Sequence, residues 1–187
     1  RWGAGALMFD GSDDYVSVPN NSSFNFTDEV YTIEVWFRPD KVNAAQYILA
    51  KTVQTTGYGV AVRADGTVGH FQAGQKPSNT TTTLSPGNWY YVAATSDGTN
   101  AKIYLNGILE GTGSKIDITD TAGGIRIGED ENGAYIFDGI IDSPRIYSRA
   151  LTASEILANY QAGNIEFQTR TGAPSTPNAG TWEAWRS

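Results

Sequence analysis

The chain has no cysteine, a single histidine and a single methionine among its 187 residues, and these scarcities remove whole classes of chemistry. Without cysteine there is neither a disulfide framework nor a thiolate metal site. With His70 as the sole imidazole and no Gly-x-Ser-x-Gly elbow, a nucleophilic triad has little to be built from. Basic residues are also few. Thirteen Lys and Arg against twenty Asp and Glu leave a formal charge of −7. That balance argues against nucleic acid or an anionic membrane as the main partner, because phosphate contacts need cations, and it is compatible with bound metal ions. Nowhere does the chain carry an apolar run of about 18 residues, so no helical membrane insertion is expected. It opens at Arg1 without a methionine or a charged-then-apolar leader, and we expect a mature or excised part of a larger polypeptide.

What the chain does have is β chemistry. Hydrophobic residues make up 40%, enough to fill a core, and 21 glycines punctuate runs rich in Val, Ile, Thr and Tyr. Tyr31 to Arg38 alternates, with Ile33, Val35 and Phe37 on one side and Thr32, Glu34, Trp36 and Arg38 on the other. Gly57 to Ala64 and Thr67 to Gln72 are joined by Asp65-Gly66, a hairpin signal. Trp89 to Ser96, Lys102 to Leu105 and Ile108 to Gly111 follow with two more tight turns, the second at Asn106-Gly107. With Ala6 to Phe9, Asp14 to Val18, Tyr47 to Lys51, Gly124 to Ile127 and Tyr135 to Tyr147, about a dozen short strands read as an all-β, two-sheet antiparallel jelly-roll sandwich.

One short C-terminal helix is expected. Thr152-Ala153-Ser154-Glu155 spells a capping box, Ile156, Leu157 and Tyr160 supply an apolar stripe, and Gly163 is placed to end it. We therefore divide the chain into a sandwich over 1–163 and a small extra C-terminal segment over 164–187. That segment is too short for a core of its own. It is either an extra hairpin on the main body or the opening of a following module.

Four segments carry a resemblance. ALMFDGSDDYVSVP (6–19), YTIEVWFRPD (31–40), GNWYYVAATSDGTNAKIYLNGILEG (87–111) and FDGIIDSPRIYSRALTASEILANYQAG (137–163) together resemble the laminin-G-like and pentraxin-like domains of the concanavalin A-like lectin/glucanase superfamily. The resemblance implies two stacked antiparallel sheets in a module that binds carbohydrate or serves adhesion. It also implies a structural Ca2+ where the first and last strands lie together, with Asp10 and Asp142 as the matching carboxylates. Asp142 sits in an apolar run where an unpaired carboxylate would be costly if buried, and a cation taking six to eight oxygens would neutralise it. The plainer alternative is that Asp142 faces solvent and Asp10 is a turn residue.

Ligand-binding candidates come from aromatics in the stretch without a family signature and from the acidic loop Gly128–Gly133. Tyr58, His70, Phe71, Glu129 and Tyr135 are the residues chosen, since sugar rings stack on aromatic faces while polar neighbours bond the hydroxyls. For each, ordinary cross-strand packing or a solvated turn is the competing reading. Retaining glycosidases need two carboxyls about 5–5.5 Å apart, which on one strand means an i, i+2 or i+4 pair. Glu129 and Glu131 have that spacing but are bracketed by glycines in a loop, and the Glu-x-Asp-x-x-Glu strand motif of the related enzymes is absent. The expectation is a non-catalytic, carbohydrate-binding module of a secreted or cell-surface protein, beside other domains of the same polypeptide. An adhesion or spacer domain recognising a surface protein is the alternative.

Overall fold

The computed structural model describes residues 5–51 and 54–171. Within them two six-stranded antiparallel sheets stack face to face. The first contains β1 (Leu7–Asp10), β12 (Asp138–Tyr147), β3 (Val30–Pro39), β8 (Tyr90–Asp97), β9 (Asn100–Leu105) and β10 (Ile108–Ser114), in that spatial order. The second contains β2 (Val16–Val18), β11 (Ile125–Ile127), β4 (Gln46–Lys51), β5 (Tyr58–Val62), β6 (Val68–Gln72) and β7 (Gln75–Asn79). Both pairings of the chain's beginning with its end are made: β1 lies on β12 with Phe9 opposite Gly139, and β2 lies on β11 with Ser17 opposite Arg126.

The alternation in β3 decides which side is core. Tyr31, Ile33, Val35 and Phe37 are fully buried between the sheets with Val60, Val62 and Val68 of the facing sheet. Phe9, Phe137 and Ile141 close the same core at the end where the first and last strands meet.

The other side of β3 is covered as well. Helix α1 (Ala153–Thr171) lies over it, and Trp36, Tyr91, Tyr104, Leu151 and Ile156 form a second apolar cluster beneath. Glu34 is buried in this layer at 1% exposure. Its carboxylate accepts from the Tyr91 and Tyr147 hydroxyls and from Asn159 Nδ2 at 3.0 and 3.1 Å, which ties the helix to the sheet. The capping box forms: the Thr152 amide donates to Glu155 Oε2 at 2.8 Å, and the Glu155 amide donates to Thr152 Oγ1 at 3.3 Å.

One expectation is corrected here. Gly163 does not end the helix, which continues to Thr171 across the expected 163/164 boundary. Instead the glycine permits close packing, since a Cβ there would come within 2.5 Å of Trp36 Nε1. Residues from Ile165 to Gln168 are thus helical and not part of an extra hairpin. The remainder of the expected extension, from residue 172, lies outside the described residues. β7 is a strand the alternation did not announce, and Pro77 sits inside it. Proline removes a ladder donor and is tolerated on an edge strand, the place β7 occupies.

Candidate binding site

The outward face of the second sheet carries the site. Because Tyr58, Val60 and Val62 of β5 point into the core, Gly59 and Ala61 point out. Register then sets Ala61 beside Tyr47 and Gly69, and Gly59 beside Ala50 and Phe71. The centre of this face is therefore a floor of Ala50, Gly59, Ala61 and Gly69. Nothing on it is larger than a methyl group.

Three aromatic side chains stand around the floor. Tyr47 and Phe71 meet edge-to-face with ring centroids 5.3 Å apart, and Tyr47 meets Tyr135 in the same manner at 5.9 Å. Tyr135 arrives from the loop before β12. Its backbone is left-handed (φ 54°), and its carbonyl accepts from the Tyr47 amide at 2.8 Å. A side chain held out on strained but hydrogen-bonded backbone is a feature that clusters at ligand sites. Tyr135 is 49% exposed, whereas Tyr47 is 4% exposed, so Tyr135 and Phe71 offer surface and Tyr47 backs them.

Of these residues Ala61, Tyr47, Phe71 and Tyr135 line a recess of about 450 Å³, completed by Ala45, Ala64 and Gly74 and with polar side chains at its margin. Arg63 Nη1 is bound by Asp65 Oδ2 at 2.8 Å and by Thr67 Oγ1 at 2.9 Å. Gln54 is fixed by its amide to Glu131 Oε1 at 3.0 Å and by its Nε2 to Asp130 Oδ2 at 3.2 Å. The Lys76 ammonium lies 5.9 Å from the centre of the Phe71 ring. Burial, followed by the nearby charges of Glu131 and Asp130, pushes the Tyr47 phenol well above its usual pKa, so it stays a neutral donor.

The structure sorts the sequence candidates. Phe71 and Tyr135 line the recess. Tyr58 does not: it is 1% exposed, packed on Tyr31 at 4.7 Å, and its hydroxyl donates to the Phe24 carbonyl. His70 is fully buried between the sheets, where its Nε2 shares a hydrogen bond with the Tyr31 hydroxyl at 2.8 Å, and that hydroxyl accepts from Gln72 Nε2 at 3.0 Å. Burial pushes the imidazole down to about 3, so it is neutral. Glu129 is also buried, paired with Arg126 at 2.9 Å, whose guanidinium sits over Tyr15. The acidic loop is a self-capped turn, since Asp130 Oδ1 accepts from the amides of Asn132 and Ala134.

The parity was available in the sequence. His70 shares the face of Val68, and Tyr58 that of Val60, so both had to point inward once those valines did. Tyr47, Gln54, Arg63 and Lys76 were not foreseen as site residues. Tyr47 is the exception that alternation predicts, because it stands opposite the outward Ala61.

The expected calcium carboxylates do not meet. Asp10 stands opposite Asp138, four residues from Asp142 along β12, a separation of about 13 Å at strand rise. Ligand distances of about 2.3–2.6 Å cannot bridge that gap. Asp10 is exposed and accepts from the Ser12 amide at 2.9 Å, as a turn residue does. Asp142 is half-buried and accepts from the Ser143 hydroxyl at 3.1 Å. Among the described residues, no three His, Cys, Asp or Glu side chains gather in a way that could hold a metal ion.

Comparison with known proteins agrees with this architecture. Residues 10–157 match the family described as the concanavalin A-like lectin/glucanases superfamily. No curated protein matches the chain. Among solved structures, it is similar to domain 4 of AbnA, a GH43 extracellular arabinanase from Geobacillus stearothermophilus, in complex with arabinotriose. That match has 20% identity, 82% of this chain and 75% of that chain covered, and a TM-score of 0.65. It is also similar to the Ruminococcus gnavus IT-sialidase CBM40 bound to alpha2,3 sialyllactose (18% identity, 79% and 96% covered, TM-score 0.60). A third is the native heptameric SAP-like pentraxin from Limulus polyphemus (18% identity, 80% and 78% covered, TM-score 0.59). At these identities the likeness is one of fold.

Proposed function

The chain belongs to the concanavalin A-like lectin/glucanases superfamily, and from that premise we propose that it is a non-catalytic carbohydrate-binding module of a larger extracellular protein. The observation that carries the reading is the recess itself: small residues at Ala45, Ala61, Ala64 and Gly74, the half-buried Phe71 and the exposed Tyr135 as ring surfaces, and fixed polar groups around them. A pyranose or furanose ring has an apolar face and a rim of hydroxyls. Phe71 or Tyr135 takes the apolar face, while Arg63, Asp65 and Gln54 take the hydroxyls. Binding, not cleavage, fits the acid inventory. Asp65 is the one carboxylate among the described residues lining the recess, and it is already engaged by Arg63 and Thr67. Glycoside hydrolysis by paired carboxyls needs two. The arabinanase domain and sialidase module, solved with arabinotriose and sialyllactose, support the reading as bearers of the same fold.

The test is a glycan array followed by calorimetry on the best hit, with Phe71→Ala as the site variant. Affinity should fall about tenfold, the upper part of what one aromatic contact supplies, in a variant that still unfolds cooperatively. An undiminished affinity in Phe71→Ala would place the sugar elsewhere.

A second reading, adhesion to protein, has its own observation. Ile108 and Leu109 are exposed at the β9–β10 hairpin (66% and 48%), and Leu157 of α1 (40%) adjoins them across Gly107. A protein ligand recovered without any glycan hit, and lost in Ile108→Ser, would favour it.

A further inference from the structure

The recess is not charge-neutral at the Phe71 end. Gly69 lets the Phe71 ring lie close to the sheet, since a Cβ there would stand 2.8 Å from Phe71 Cε2 and 3.2 Å from Arg63 Cδ. Arg63 and Phe71 therefore flank the same spot, and Lys76 reaches toward the ring from β7. The two cations differ in kind. Arg63 is compensated by Asp65 at 2.8 Å. Lys76 has no carboxylate within ion-pair distance among the described residues, and its charge points over the aromatic surface that would carry a sugar. On a chain of net charge −7, Lys76 sets an ammonium without a carboxylate partner of its own beside the stacking ring.

We propose that the recess selects sugars bearing a carboxylate, such as uronic acids, with Lys76 as the cation that recognises the acid group and Phe71 as the ring beneath it. The inference rests on the carbohydrate-binding reading above and narrows its ligand class. A sugar stacked on Phe71 would bring a ring carboxylate within reach of the Lys76 Nζ, whose flexible stem follows a point charge without fixed geometry. Gln54, held by Asp130 and Glu131, lies on the Gly74 side of the same recess, its main-chain carbonyl directly against where a Gly74 Cβ would stand, and it is placed to meet a sugar hydroxyl.

The experiment compares oligogalacturonate and sialyllactose with neutral galacto-oligosaccharide and lactose by calorimetry, on the wild type, Lys76→Gln and Phe71→Ala. The expected result is preference for an acidic ligand, an about fivefold loss in Lys76→Gln, as an exposed charge contact supplies, and a weakened dependence on salt in that variant. Neutral ligands should lose less affinity in Lys76→Gln than acidic ones do. Equal binding of acidic and neutral sugars, unchanged in Lys76→Gln but reduced in Phe71→Ala, would overturn the selectivity and leave the carbohydrate reading standing. No binding of any glycan by a wild type that melts cooperatively would overturn both.

Discussion

Substituting Gly69 by alanine tests the site through space alone. Gly69 is not among the glycines with positive φ, so alanine meets no backbone penalty there. A strand gains about 0.5–1 kcal/mol when glycine is replaced by alanine. Against that gain stands the new methyl, 2.8 Å from Phe71 Cε2 and 3.2 Å from both Arg63 Cδ and Asn79 Oδ1. The ring would have to retreat about 0.6 Å to restore the 3.4 Å at which ordinary contact begins. Overpacking of this sort costs about 1–3 kcal/mol, so the net effect is a loss of about 0–2.5 kcal/mol, about 1 kcal/mol at the middle of both ranges. For a chain of this length a loss of about 1 kcal/mol lowers Tm by about 2–4 °C. Because Phe71 is half-buried, it relieves the clash by swinging outward, and glycan affinity should drop about two- to tenfold with the displaced ring. Calorimetric unfolding and ligand titration read the two effects. On a Phe71→Ala background, Gly69→Ala should cost less stability than it does in the wild type, since the clashing ring is gone. If Gly69→Ala is as stable as wild type and binds sugar equally well, the floor-and-ring description of the recess is wrong.

Glu34→Gln should destabilise the chain by about 2 kcal/mol, or about 4–8 °C in Tm, because Tyr91, Tyr147 and Asn159 lose a charged acceptor beneath α1. A urea titration showing no shift of midpoint would refute the tether, and glycan binding on the far sheet should be unaffected. Glu155 is pulled from 4.5 to about 2 by its hydrogen bond from Arg149 and then by those from Thr152. A depressed carboxylate stabilises above its unfolded pKa, so this contribution is whole above pH 4.5 and disappears as pH falls toward 2. Glu155→Gln should therefore flatten the stability profile between those values, and an unchanged slope would remove the capping box from the account.

Much of the architecture was legible along the chain. The alternation of β3 named its inward residues, the Asp65-Gly66 and Asn106-Gly107 turns placed two hairpins, and Thr152 to Glu155 marked the helix start. These signals are local, because strand parity, turn backbone and capping each depend on a few neighbouring residues. What escaped were features whose cause lies far away in sequence. Pro77 conceals a strand until the sheet edge that tolerates it is known, and Gly163 reads as a stop until Trp36 is seen against it.

The sequence by itself determined that this chain is a stack of alternating strands with one capped helix, and which residues of β3 face the core. Only the tertiary structure decided where a ligand can sit. Gly59, Ala61 and Gly69 are unremarkable in order of sequence; register sets them side by side, and Ala61 lines the recess with Tyr47, Phe71 and Tyr135. The same register sent Tyr58 and His70 inward and set Asp10 and Asp142 apart. A binding surface is made of neighbours across strands, and strand pairing is a property of the folded sheet, not of any segment within it.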